Sequence, residues 1–362
     1  MKVAILGAGA GGASAAVELQ RAGHAVRLWN RSAAALAGYA AARGIRHLGV
    51  FGEGFTPLDV ITTDLALAAR SADVLLVCLP TLAHGALAQA LIAARAHEIP
   101  TVLNPGHTGG ALEFAQVFAA NGIAPPAIAE FSTLTYVARK AGPDCVNITG
   151  RAKRVRVAAI VGGAAAVDLA RTLYDCASPV DNVLVTSLCN VNMVLHPPGA
   201  ILGASWIEAM AGNFTFYVEG LTDGVARVME RLDAERLAVA RSFGVELPAL
   251  FDEMQAIGTI ETGVSADAGL AVAIRGGEAN RRIKAPDAFT HRYFQEDFWF
   301  GLQPFLVFAD IAAVAVPTAQ SLMHLAQVAA GPSALQGGRT AATMGIVGLD
   351  RGGLLDFVTG GQ

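Results

Sequence analysis

Residues 3–12 read Val3-Ala4-Ile5-Leu6-Gly7-Ala8-Gly9-Ala10-Gly11-Gly12. The helical pattern Ala13–Arg21 follows at once, and after the turn at Ala22-Gly23-His24 comes a second apolar run, Ala25–Trp29. In a chain this rich in alanine and glycine, G-x-G-x-x-G alone arises by accident. Strand, glycine loop, helix and strand in that order specify a dinucleotide-binding unit. The glycines act by steric relief. Gly7 permits the tight turn, Gly9 lets backbone approach a pyrophosphate, and Gly12 lets the helix lie close on the sheet. The helix N-terminus then offers N–H groups and partial positive charge to the phosphates.

Outward from this stretch, strand-like runs continue at Val74–Leu79, Thr101–Leu103 and Val155–Ile160, with helical patterns such as His84–Ala96 between them. That alternation predicts a parallel sheet covered by helices on both faces. Beyond Asp181 long helical patterns take over, among them Val183–Leu195, Asp223–Phe243 and Gly301–Val314. The expected fold is α/β: a Rossmann-type doubly wound parallel sheet over residues 1–181, then a second, all-helical domain over 182–362. No repeat or long linker interrupts the chain.

Composition supports this reading and excludes others. Of 362 residues, 53% are hydrophobic and 15% charged, which is incompatible with disorder and sufficient for a core in each of two domains. The mean hydropathy of +0.46 is carried largely by alanine and glycine. No apolar run reaches the roughly 20 residues of a membrane span; Phe305–Val316, broken by Asp310, reads as a buried helix. Lys2 and the small apolar residues after it imitate a signal peptide, but a cofactor loop accounts for the glycines better. Cys78, Cys145, Cys176 and Cys189 are scattered, as expected of reduced thiols in a cytoplasmic protein. A net charge of −4 without a basic run argues against nucleic acid as partner. No His/Cys/Asp cluster has metal-ligand spacing. An apolar helical half is compatible with a homodimer.

The end of the second strand bears on which cofactor binds. An acid there hydrogen-bonds the ribose 2′-hydroxyl of NAD. This chain has Trp29-Asn30-Arg31-Ser32 instead. Arg31 can pair with a 2′-phosphate while Asn30 and Ser32 donate hydrogen bonds, so NADP(H) is expected in preference to NAD(H). Pro80, after the Val74–Leu79 run, is expected beside the nicotinamide half, and His107 occupies the corresponding place one strand later.

The chemistry has to come from the second half. In Asn192-Met-Val-Leu-His196-Pro-Pro-Gly, the two prolines are expected to stop the helix and hold the histidine rigidly. In Arg292-Tyr-Phe-Gln-Glu-Asp297-Phe-Trp-Phe-Gly, a carboxylate sits among apolar residues and needs a partner. His196 is the best candidate, because such a pair makes the imidazole a general acid/base whose tautomer the carboxylate fixes. The other histidines read as ordinary core or surface residues.

The chain resembles the NAD(P)-dependent octopine/nopaline (opine) dehydrogenases over nearly its whole length. The resemblance rests on the glycine loop, the segment Glu130 to Arg139, His196-Pro-Pro-Gly, Glu296-Asp297 through Gly301-Leu302, and Gly338-Arg339-Thr340. It implies condensation of an amino acid with a 2-oxo acid and reduction of the resulting imine. By this resemblance His196 is the acid/base, Asp297 orients it, Arg292 holds the oxo-acid carboxylate, and Glu130 contacts the amino acid. Asn192, one helical turn before His196, shares its face and is expected to help position substrate. Two rivals remain. A ketopantoate-type or 3-hydroxyacid dehydrogenase uses a lysine, and the Val183–Leu195 pattern contains none. A non-catalytic NADPH sensor needs no His–Asp pair.

Overall fold

The computed structural model describes residues 1–278, 280–331 and 337–361, and they form two compact units, Met1–Thr186 and Ser187–Gln362. The first unit contains the strands β1 (Lys2–Leu6), β2 (Ala25–Trp29), β3 (Gly44–Gly49), β4 (Gly54–Pro57), β5 (Val60–Thr62), β6 (Val74–Val77), β7 (Thr101–Leu103), β8 (Ile128–Phe131), β9 (Tyr136–Lys140), β10 (Cys145–Arg151), β11 (Val155–Ala159) and β12 (Ala177–Pro179). Eight of them form one sheet in the order β12-β11-β8-β7-β6-β1-β2-β5. All pairings in it are parallel except β8 with β11. Chain order reverses at β1, which has β2 on one side and β6 on the other. The central strands are apolar throughout because helices cover both faces; Val3–Leu6 and Val74–Val77 are fully buried.

A second, four-stranded sheet, β4-β3-β10-β9, is absent from the sequence expectation. Its strands are short and half-polar. In β10, Val146 and Ile148 turn inward while Thr149 is exposed, an alternation too brief to separate from a loop.

The second unit is helical, with no strand among its described residues. The pattern Val183–Leu195 does not form one helix. It divides into Val183–Leu188 and Asn192–Leu202, and the Asn190 side chain accepts from the Asn192 N–H (3.1 Å) to restart the chain. A further correction concerns the prolines. The helix continues through Pro197 and Pro198 instead of ending there. Two helical N–H groups are lost, yet Met193–Ala200 are buried and their packing holds the backbone in register. The third long pattern also splits: Phe298–Leu302 is a π-helix, with Leu302 N–H donating to Asp297 O (2.8 Å), before an α-helix over Gln303–Ile311. Among the described residues, no helix is long and apolar enough to cross a membrane.

Candidate active site

The nucleotide end of the first unit is built where chain order reverses, at the C-terminal ends of β1 and β6. This is the ligand position of open α/β sheets. Gly7 has φ +126°, and a Cβ there would lie 2.4 Å from the Cys78 carbonyl oxygen. A Cβ on Gly12 would lie 1.8 Å from Gly7 O. The loop is therefore closed down onto the strands and requires hydrogen at both places. Gly9 differs: a Cβ on it would meet nothing within 4 Å, so its side faces open space. Gly9 also caps the helix Ala10–Arg21 without a side-chain hydrogen bond, and no acid occupies the first turn. Open space, free helical amides and no competing carboxylate together fit a pyrophosphate. Pro80 is exposed and leads into a short 3-10 turn beyond β6.

Past β2, Arg31 and Ser32 are exposed. Asn30 Oδ1 accepts from Ser32 N–H (2.9 Å), and Ser32 Oγ accepts from Ala35 N–H (3.4 Å) as cap of the helix Ala33–Ala42. Both side chains serve the turn as acceptors, which keeps the Asn30 amide and the Ser32 hydroxyl as donors.

Glu130 departs from the expected substrate contact. It is fully buried in β8, with one carboxylate oxygen accepting from Ala111 N–H (2.8 Å) and the other from the Thr186 hydroxyl (2.6 Å). Its charge stabilises the N-terminus of the helix Gly110–Ala120. Both oxygens are committed within this unit, so the residue supports structure there. His107 is half-buried with φ 62°.

In the helical unit His196 and Asp297 meet. His196 Nδ1 lies 2.5 Å from Asp297 Oδ2, with each residue 4% exposed. An ionised carboxylate only accepts, so Nδ1 carries the hydrogen. Both partners are positioned by local structure. His196 is one turn into the helix Asn192–Leu202, and Asp297 immediately precedes the π-helix. Gly301 makes the approach feasible: a Cβ there would lie 3.0 Å from Met193 Cβ. The bulky Phe298, Trp299 and Phe300 are buried in the core, and Phe298 stacks on Phe294 (5.8 Å, 6°). Arg339, fully buried, donates its backbone N–H to Trp299 O (2.9 Å) and lies 5.3 Å from the Phe300 ring. It supports the segment that presents Asp297.

The sequence reading missed an aromatic enclosure. His196 Nε2 lies 2.7 Å from the Tyr217 hydroxyl, and the imidazole stacks on Tyr293 (3.7 Å, 13°) with Phe216 at its edge (6.0 Å, 68°). Tyr217 belongs to no long helix and carries no periodic signal. Only the aromatic cluster Phe214-Thr-Phe216-Tyr217 marks it. Burial, foremost, and the neighbouring Tyr293 and Asp297 hold its phenol neutral, well above the ordinary range, although Arg292 opposes them.

Arg292 is exposed, with its guanidinium carbon 5.6 Å from the Tyr293 ring. Desolvation pulls its pKa down, but Tyr293, Glu296, Asp297 and Tyr217 outweigh this and raise it. Glu296 is pushed up to about 7 by burial and by Asp297, against the pull of Arg292. Asn192 is half-buried at the first position of the His196 helix.

A Rossmann unit joined to a helical unit with a buried His–Asp pair defines a nicotinamide-dependent dehydrogenase. Residues 179–330 match the family model for the α-helical domain of NAD/NADP octopine/nopaline dehydrogenases, and residues 3–105 match that for ketopantoate reductase PanE/ApbA. An opine dehydrogenase of Arthrobacter sp. (strain 1C) is 30% identical over 98% of both chains. Among solved structures, octopine dehydrogenase in complex with NADH and agmatine superposes with a TM-score of 0.77 at 19% identity, covering 100% of this chain and 98% of that one. Yersinopine dehydrogenase with NADP+ bound gives 0.75 at 18%, covering 95% and 97%. The chain belongs to the opine dehydrogenase family and is a NAD(P)-dependent dehydrogenase acting on CH–NH bonds.

Proposed function

We propose that the protein catalyses the NADPH-dependent reductive condensation of an amino acid with a 2-oxo acid in the cytoplasm. The buried contact between His196 and Asp297 carries this reading. A histidine with its tautomer fixed by a carboxylate is suited to moving protons as a carbonyl becomes an imine. The neighbouring Arg292 offers the planar, bidentate geometry that a 2-oxo acid carboxylate needs. Asn192, one turn before His196, helps orient the substrate.

When bound, the nicotinamide supplies the hydride that reduces the C=N bond. Gly7, Gly9 and Gly12 hold the pyrophosphate against the amides of the helix Ala10–Arg21, with Pro80 beside the nicotinamide half. Arg31 neutralises a 2′-phosphate, and Asn30 and Ser32 donate to it. The lysine mechanism of ketopantoate-type reductases lacks its residue: Lys284, the lysine of the helical half, reaches Asn213 (3.4 Å).

The test is NADPH oxidation with pyruvate and other 2-oxo acids against a panel of amino acids, in wild type and His196→Ala. Turnover that needs both substrates and falls by about 10²–10⁴ in the variant is expected. Unimpaired turnover in His196→Ala overturns the assignment. Cofactor binding without turnover in either protein favours a sensor.

A further inference from the structure

The geometry points to Tyr217 as a further catalytic residue, a proton relay between His196 Nε2 and the substrate oxygen that leaves as water. This rests on the reductive-condensation reading of the site. Both imidazole nitrogens are engaged by protein groups, Nδ1 by Asp297 and Nε2 by the Tyr217 hydroxyl at 2.7 Å. With the Nδ1 hydrogen directed at the carboxylate, the neutral ring has only Nε2 for exchanging a proton. The ring has little freedom to turn, being stacked on Tyr293 and edged by Phe216. His196 and Tyr217 are 4% and 6% exposed, so the phenol stands at the one reactive atom of a buried base. Substrate oxygen either replaces this hydroxyl or works through it. Replacement would strip the buried phenol of its bond to His196 and leave it only the hydrogen bond to Tyr293.

Relay suits the chemistry of the group. A hydroxyl donates and accepts at once. The phenol stays neutral, so it passes a proton on rather than storing one. Arg292 lies against the same Tyr293 ring that stacks on His196, 5.6 Å from its centre, and is near enough to Tyr217 to act on it electrostatically. A 2-oxo acid carries its carbonyl beside its carboxylate. A carboxylate held at Arg292 therefore brings the carbonyl oxygen toward this hydroxyl.

Addition of the amino nitrogen to the carbonyl carbon gives a carbinolamine. Its C–O bond breaks, and the departing oxygen takes the phenolic hydrogen of Tyr217 while the Nε2–H of the His196 imidazolium re-protonates the phenol oxygen. The products are a protonated imine, water and neutral imidazole, with no change in oxidation state. The return path serves the reverse reaction.

Tyr217→Phe keeps the ring and removes the relay. The expected result is a kcat lowered on the order of 10²-fold, with NADPH affinity by fluorescence and thermal midpoint close to wild type. A kcat at or above the wild-type value overturns the proposal and makes the hydroxyl a displaceable latch. A second measurement needs no variant. The single-turnover rate of the wild-type enzyme in H2O/D2O mixtures should give a bowed proton inventory, from two hydrogens in motion. A linear or flat plot overturns the relay. Activity in His196→Ala would instead refute the parent reading, which separates the two failures.

Discussion

At the scale of single residues, Arg31 is an exposed cation just past the end of β2, and the proposed NADPH preference rests on it. Arg31→Ala should raise KM for NADPH about tenfold, the loss of roughly 1.4 kcal/mol from one charge-assisted pair, and leave KM for NADH nearly unchanged. Parallel oxidation assays check this, and equal changes for both cofactors reject it. Glu296 makes a prediction for stability. Its folded pKa of about 7 lies above the ordinary carboxylate value of 4.5. Between those limits the native state binds more protons than the unfolded chain, so stability falls as pH rises from 4.5 toward 7. Glu296→Gln removes that slope, which is worth roughly 1–3 kcal/mol. Denaturant titrations at pH 5 and pH 8 measure it, and parallel pH profiles for wild type and variant contradict it.

At the scale of elements, the site depends on a local irregularity in the helix that follows Asp297. The π-helix Phe298–Leu302 follows Asp297 directly, and such segments commonly accompany functional sites. It lies against the helix Asn192–Leu202 through Gly301. Gly301→Ala places a methyl 3.0 Å from Met193 Cβ and should move the carboxylate off the imidazole. A stability loss of about 1–3 kcal/mol is expected from overpacking, with a disproportionate fall in kcat and no change in NADPH affinity. A variant as active as wild type would show that the approach tolerates a methyl group. The glycine loop was legible from the chain because its positive φ at Gly7 and the close approach of Gly12 to Gly7 O belong to one strand–loop–helix turn, although the Cys78 carbonyl that also crowds Gly7 comes from a distant strand end. The π turn was not legible. Nothing in Phe298-Trp-Phe-Gly-Leu302 distinguishes it from α-helix except the packing it satisfies.

At the scale of the whole molecule, the two units divide the work, one fitted to a dinucleotide and the other carrying the buried His196–Asp297 pair. We expect the chain to form a homodimer. Leu202, Trp206 and Met210 are 50%, 39% and 43% exposed on adjoining helical turns of the second unit. Light scattering after size exclusion should return twice 37.2 kDa, and a value equal to it rejects the dimer.

The linear chain determined the parallel sheet, the glycine loop and the helical second half, because strand and helix periodicity and tight turns depend on residues near one another in sequence. It also singled out His196 and Asp297, since a buried carboxylate must find a partner. Tertiary structure alone decided that Glu130 is buried against the end of the helix Gly110–Ala120, where the resemblance implies a contact with the amino acid, that the helix runs on through Pro197 and Pro198, and that Tyr217 and Tyr293 enclose the imidazole. Each of those outcomes depends on packing energy and hydrogen bonds between groups distant in sequence, to which local pattern is blind.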